Sequence, residues 1–294
     1  MNLFEQLKTK YFNRYTFEKD GIKYFYRKFD LNDRPIEYLL NELIAYEMAS
    51  LIDIECVKPI VVNKPNNIGI ATKSFEREGY SVINGQKILE NYYRHLHNNN
   101  AIEDELELSD GINKLNNLEN IWEALNYYFK DYEESKKDEI VKNIMFDLTK
   151  IFSFDVIMMQ SDRHAENWEI LESNNKDNAY LVPLYDNELC FDNYSIATNI
   201  NVEFENNPLV DMEYNLTKYL TYSSEEFVDT FISYFKKLTP EVLEEKIKEI
   251  NEKYKGIFRY TYITEIIKKY NENYSKIKKV LEELNLIETN SRNM

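Results

Sequence analysis

The stretch 161-SDRHAENW-168, with 184-LYDNE-188 downstream of it, decides how this chain reads. It brings Asp162, then Asn167, and later a second acid, Asp186. Just before it, 139-EIVKNIMFDLTKIFSFDVIMMQ-160 is apolar on most sides, which predicts a buried central helix. After it, NWEIL (167–171) and AYLVPLYD (179–186) read as two strands joined by a polar turn. That is a β-hairpin with Asp186 at the end of its second strand. Asp and Asn at this spacing are common, and a capping aspartate, a packed histidine and a turn asparagine explain them without chemistry. The context makes the pattern specific: Asp-Arg-His-x-x-Asn after a buried helix and before a hairpin that ends in Asp.

Phosphoryl transfer asks little covalent work of a protein. It needs a carboxylate to orient and deprotonate the acceptor hydroxyl, and oxygen ligands for the magnesium ions that neutralise the phosphates. Asp162 suits the first task, and Asn167 and Asp186 suit the second, in order and spacing. His164 is a candidate acid–base group, although a histidine in such a loop more often holds loop geometry by hydrogen bonding. Arg163 either pairs with a carboxylate or is exposed; its type and position leave both open.

Working outward, residues 20–30, DGIKYFYRKFD, open on a turn dipeptide and continue as an aromatic-rich strand. Arg34-Pro35 starts a helix with the apolar stripe Leu39, Leu40, Leu43, Ile44 and Met48. CVKPIVV (56–62) and IGIATKSF (68–75) read as strands around a loop at 63–67. The pattern then turns helical: after Gly85, across 119–131 and 137–160, and again beyond 213. The Asn- and acid-rich stretch 98–118 reads as a loop with a short helical piece. Ser224 and Thr239-Pro240-Glu241 are good helix starts. The class is α+β, divided into 1–77 and 78–294.

The chain has 294 residues and 43% hydrophobic composition, enough for a substantial core. Only six Gly and six Pro favour helices over a many-stranded β fold. A net charge of −16 argues against broad nucleic-acid binding, which needs a basic face, and against attachment to anionic lipid. Two isolated cysteines, Cys56 and Cys190, suit a reducing compartment. No apolar signal core opens the chain and no apolar run approaches the ~20 residues of a membrane span, so a cytoplasmic location is expected.

SDRHAENW and PLYDNELCF resemble the catalytic loop and metal-binding motif of the HipA-like Ser/Thr kinases, and Asp-Arg-His-x-x-Asn is shared with phosphoinositide kinases. IEYLLNELIAYEMASLIDIECVKP is similar to the family's small-lobe helix, and IATKSFEREGYSVINGQKIL to its hinge strand and following turn. The resemblance runs in order from about residue 20 to 195. It implies a two-lobed protein-kinase-like fold, with a small α+β N-lobe and a mainly helical C-lobe, that binds ATP and Mg2+ between the lobes. It implies that Lys28 meets the ATP phosphates, with Lys23 and Arg27 as rivals, and that Glu42 holds the lysine. It also implies that Lys73, Ser74 and Phe75 form the segment whose backbone hydrogen-bonds adenine. By the same resemblance the acceptor is Ser or Thr of a protein, a growth-regulating toxin is one setting, and a separately encoded regulatory partner is another expectation.

Two departures stand out. KYFNRYTFEKDG, before the Lys28 strand, holds one glycine and no nest of backbone N–H groups for phosphate. The chain is also shorter than full-length HipA toxins. Three other readings compete: a small-molecule or lipid kinase, a non-catalytic kinase-fold binding module, and a helical scaffold built by the C-terminal segment.

Overall fold

Asp20 and Gly21 both adopt positive φ, 55° and 74°. This is the geometry of a two-residue hairpin turn whose twist matches its strands. They join β1 (Arg14–Lys19) to β2 (Ile22–Phe29). The sequence pattern showed only β2; β1 has no clean alternation of its own. The computed structural model describes residues 14–29, 35–64, 67–99, 108–191 and 212–288. Beyond β2, Pro35 precedes α1 (Ile36–Ser50), whose predicted stripe is buried to the last residue. β3 (Ile60–Lys64) and β4 (Asn67–Lys73) complete an antiparallel sheet in the order β1-β2-β4-β3. The strand read over 56–62 starts at Ile60, and the loop read over 63–67 is largely strand.

A second antiparallel sheet, β5-β6-β7, is built from Tyr80–Asn84, Glu169–Ser173 and Ala179–Leu181. The expected hairpin is β6–β7. Its second strand ends at Leu181, before Pro183, so Asp186 stands beyond the strand and not on its end. The segment after β7 is held by other means. Leu184 donates to the Glu55 carbonyl at 2.8 Å and accepts from Val57 at 2.8 Å. β5 was not read from the sequence, and it places residues 80–84 beside the β6–β7 hairpin.

The helices follow their caps. Asn84 accepts from Lys87 N–H to open α2 (Gly85–Asn98), and Asn117 accepts from Asn120 N–H to open α4 (Leu118–Tyr128). The short helical piece expected within 98–118 is α3 (Leu108–Leu115); residues 100–107 lie outside the described residues. α5 (Glu134–Met158) is amphipathic at first, with Phe146 exposed, and then buried all round from Ile151 to Met158. Of the later helices, α7 (Glu225–Lys237) and α9 (Tyr260–Glu283) pack on α5, while α6 (Met212–Tyr222) and α8 (Pro240–Lys253) pack on α9. Ser224 and Thr239 cap α7 and α8 as expected, each accepting from the N–H three residues on.

Gly85 fixes how α2 meets the second sheet. A Cβ there would overlap the Trp168 indole, and Trp168 is one of the largest fully buried side chains. The Gly85 N–H donates to the Trp168 carbonyl at 2.9 Å. The result is a small α+β lobe and a larger, mainly helical lobe, with the Asp162 loop at their junction.

Candidate active site

The loop 159–168 begins where α5 stops. Met159 turns left-handed, at φ 53°, and ends the helix. Gln160, buried, then bridges two segments: its side chain accepts from Asp162 N–H at 3.1 Å and donates to the Asp186 carbonyl at 3.0 Å. Arg163 is buried and spends all five N–H donors. Two go to the Asp155 carboxylate at 3.0 and 3.1 Å. The others reach the Tyr185 carbonyl at 2.7 Å, the Asn167 carbonyl at 3.2 Å and Asn187 Oδ1 at 2.8 Å. Burial opposes its charge, but the Asp155 carboxylate more than offsets this and keeps the guanidinium protonated. The alternative of an exposed Arg163 is therefore excluded: it clamps the helix, the loop and the 185–187 segment together.

Asp162, Asn167 and Asp186 line one cleft of about 420 Å³. The Asn167 amide donates to the Asp162 carbonyl and lies 3.4 Å from its carboxylate. Burial raises the Asp162 pKa, and Asp186 adds to this; His164, Arg163 and the Asn167 hydrogen bond oppose it. His164 also lines the cleft, with Nε2 3.7 Å from Asp162 Oδ1. Its Nδ1 accepts from Glu166 N–H at 3.2 Å and so caps the single 3-10 turn Ala165–Asn167.

The opposite wall is the first sheet. Phe25 pairs with Thr72 and Arg27 with Ile70, and all four line the cleft. Alternation along β2 therefore sends Arg27 inward with Phe25, and Lys28 is not among the lining residues. Arg27 Nη1 meets Asp186 Oδ1 at 2.7 Å, Glu188 Oε2 at 2.8 Å and Glu42 Oε1 at 3.5 Å. Lys23 is bound elsewhere, to Glu76 at 2.8 Å. The cation that Glu42 faces is thus Arg27.

Asp186 has φ 56°, a left-handed turn that a short polar side chain tolerates. Oxygens of Glu42, Asp186 and Glu188 lie within 4.8 Å of one another, close enough to hold one cation. Burial pushes the Glu42 pKa up to about 7, with Asp186 and Glu188 adding and Arg27 opposing. Glu188 escaped the sequence reading; its signal was a second acid two residues after Asp186. Asn41, next to Glu42 on α1, ties this helix to the same segment. It donates to the Glu188 and Cys190 carbonyls at 2.7 and 2.9 Å and accepts from Tyr262 Oη at 2.9 Å.

At the far end, Lys73 and Phe75 line the cleft, and Phe75 lies 5.8 Å from the Tyr185 ring. Ser74 is not a lining residue. It shapes the turn: its N–H donates to the Lys23 carbonyl at 2.9 Å and its Oγ accepts from Glu76 N–H at 3.2 Å.

No protein-family model matches the chain, and no curated protein sequence matches it. Solved structures do. A Helicobacter pylori proinflammatory kinase, CtkA, superposes with a TM-score of 0.57 at 14% identity, over 92% of this chain and 95% of that one. HipA of Shewanella oneidensis MR-1, from a toxin–antitoxin complex with HipB and operator DNA, superposes with a TM-score of 0.55 at 10% identity. That match covers 96% of this chain and 68% of HipA. At such identities the likeness is one of architecture, and on that basis the chain has the two-lobed α+β fold of a protein-kinase-like protein.

Proposed function

We propose that the chain is an ATP- and Mg2+-dependent kinase that transfers phosphate to Ser or Thr of a protein, with lobes divided near residue 77. The observation that carries this is the meeting of Asp162, Asn167 and Asp186 on one cleft, opposite a cation on the facing strand. Asp162 orients the acceptor hydroxyl and takes its proton as the new O–P bond forms and ADP leaves. Asp186, Asn167 and Glu188 supply oxygens for magnesium, and Glu42 joins them when ionised. Arg27 takes the part that the resemblance gave to Lys28: with its carboxylate partners turned to the metal, its planar fork is free for phosphate oxygens. Lys73 and Phe75 flank the base, and His164 holds the loop. The HipA–HipB complex supports a separately encoded regulatory partner and a toxin setting. Two free cysteines support a reducing, cytoplasmic site of action, and among the described residues no helix is long and apolar enough to cross a membrane.

The test is phosphate incorporation from γ-labelled ATP with Mg2+, into the chain itself and into a lysate. The native protein labels a protein band and Asp162→Asn does not. Equal labelling by both would remove Asp162 from its role. Consumption of ATP with a metabolite extract, but no labelled protein, would replace the protein acceptor with a small molecule.

A further inference from the structure

Alternation along 167–170 sends Asn167 and Glu169 into the cleft and buries Trp168 and Ile170 in the core. Asn167 serves the acid end. Glu169 belongs to the other end: the charge that bears on it is Glu76, and its polar neighbour is the Tyr185 hydroxyl. Asp162 and Glu42, by contrast, both feel Asp186. Glu76 itself is tied to the hinge turn, with its N–H on Ser74 Oγ at 3.2 Å. Phe75 and Tyr185 line the cleft here with ring centroids 5.8 Å apart. The backbone of Glu169 is fixed on both sides: it pairs with Asn84 of β5, and its carbonyl accepts from Val182 N–H at 2.9 Å.

Phe75 and Tyr185 touch each other at a 37° tilt and form one aromatic patch on the cleft wall, and the half-buried Glu169 carboxyl group on the same cleft suits a flat ring that lies over this patch with a hydrogen-bond donor on its edge. We propose that Glu169 is the residue that reads the nucleobase, accepting a hydrogen bond from the exocyclic amino group of a purine seated at Phe75 and Tyr185. This rests on the reading of the cleft as a nucleotide site. A carboxyl oxygen accepts such a bond whether or not the group carries a proton. A purine without the amine leaves that oxygen facing C–H, and a site built around a polar contact rejects a ligand that lacks it.

The test compares dissociation constants, with Mg2+ and the full chain, for ATP, purine riboside triphosphate (which lacks the amine) and 2′-deoxy-ATP. The native chain binds ATP at least about tenfold tighter than purine riboside triphosphate. Glu169→Leu narrows that gap to within about threefold, whereas Glu169→Gln, which keeps a carbonyl acceptor, preserves it. Equal native affinities, or a gap that survives in Glu169→Leu, would overturn the assignment. So would a leucine variant that loses only its preference for ATP over 2′-deoxy-ATP, which would make Glu169 a ribose contact. If the native chain binds none of the three, the nucleotide reading of the cleft falls, and this inference with it. If the leucine chain does not fold, Glu169→Ala replaces it, with the same narrowing expected and a surviving gap overturning the assignment.

Discussion

Arg27 and Lys28 are neighbours in sequence and opposites in space, and their difference is the sharpest residue-scale consequence of the structure. Arg27 sits within 2.8 Å of both Asp186 and Glu188, while Lys28 is not among the cleft-lining residues. Arg27→Met should lower ATP affinity about tenfold or more, as expected for loss of a charge-assisted contact, while Lys28→Met changes it less than about threefold. Nucleotide titration of the two variants checks this, and the reverse order would return the role to Lys28. Glu42 carries a second prediction. Its folded-state pKa of about 7 is above the ordinary glutamate value of 4.5. Between those values the folded chain holds a proton that the unfolded chain has lost, so the Glu42 contribution to stability falls as pH rises from about 4.5 to 7. Glu169, also pushed up to about 7, acts in the same window. Urea unfolding across that range, with chelator present, should show Glu42→Gln with a shallower decline than the native chain, though not a flat profile. Arg163 shows what the sequence withheld at this scale. Its five acceptors come from residues 155, 167, 185 and 187, and no spacing in the chain announces that they converge.

Among the elements, those with strong local causes were legible. α5 announced itself by an apolar surface too wide for one face, and α7 and α8 by Ser224 and Thr239-Pro240. β5 was not legible, because Tyr80–Asn84 becomes a strand only by pairing with β6, far away in sequence. β7 was read too long, because the apolar run AYLVPLYD continues past the pairing, which ends at Leu181. Asp186 still reaches the cleft, in the segment that follows β7. Gly85 gives the element-scale prediction. Gly85→Ala must push α2 and Trp168 apart, because the added carbon has rigid ring atoms in its way. Overpacking of this kind should cost about 1–3 kcal/mol. A thermal melt would read it, and an unchanged midpoint would mean that α2 tolerates the shift.

For the whole molecule, the two lobes are not independent bodies. α1 lies under the first sheet, yet it packs more extensively on α8 of the larger lobe than on β2 or β4. The net charge of −16 is compatible with a basic protein partner, and it sharpens the question of how the acid-rich cleft bears its own charge. In the described structure Arg27 answers it by neutralising part of Glu42, Asp186 and Glu188.

Asn41 is where those scales meet. Its side-chain bonds run to the 188–190 carbonyls and to Tyr262 of α9. α1 is thereby riveted to the larger lobe, and the first sheet has to slide across it for the cleft to gape. In amide hydrogen exchange, α1 should then keep pace with the slow protons of α5 and α9, while β1–β4 exchange on a faster clock. Replacing Asn41 with Ala would cut the rivet and move α1 into the fast class. An α1 that already exchanges with β1–β4 in the native chain would show that the helix travels with the sheet.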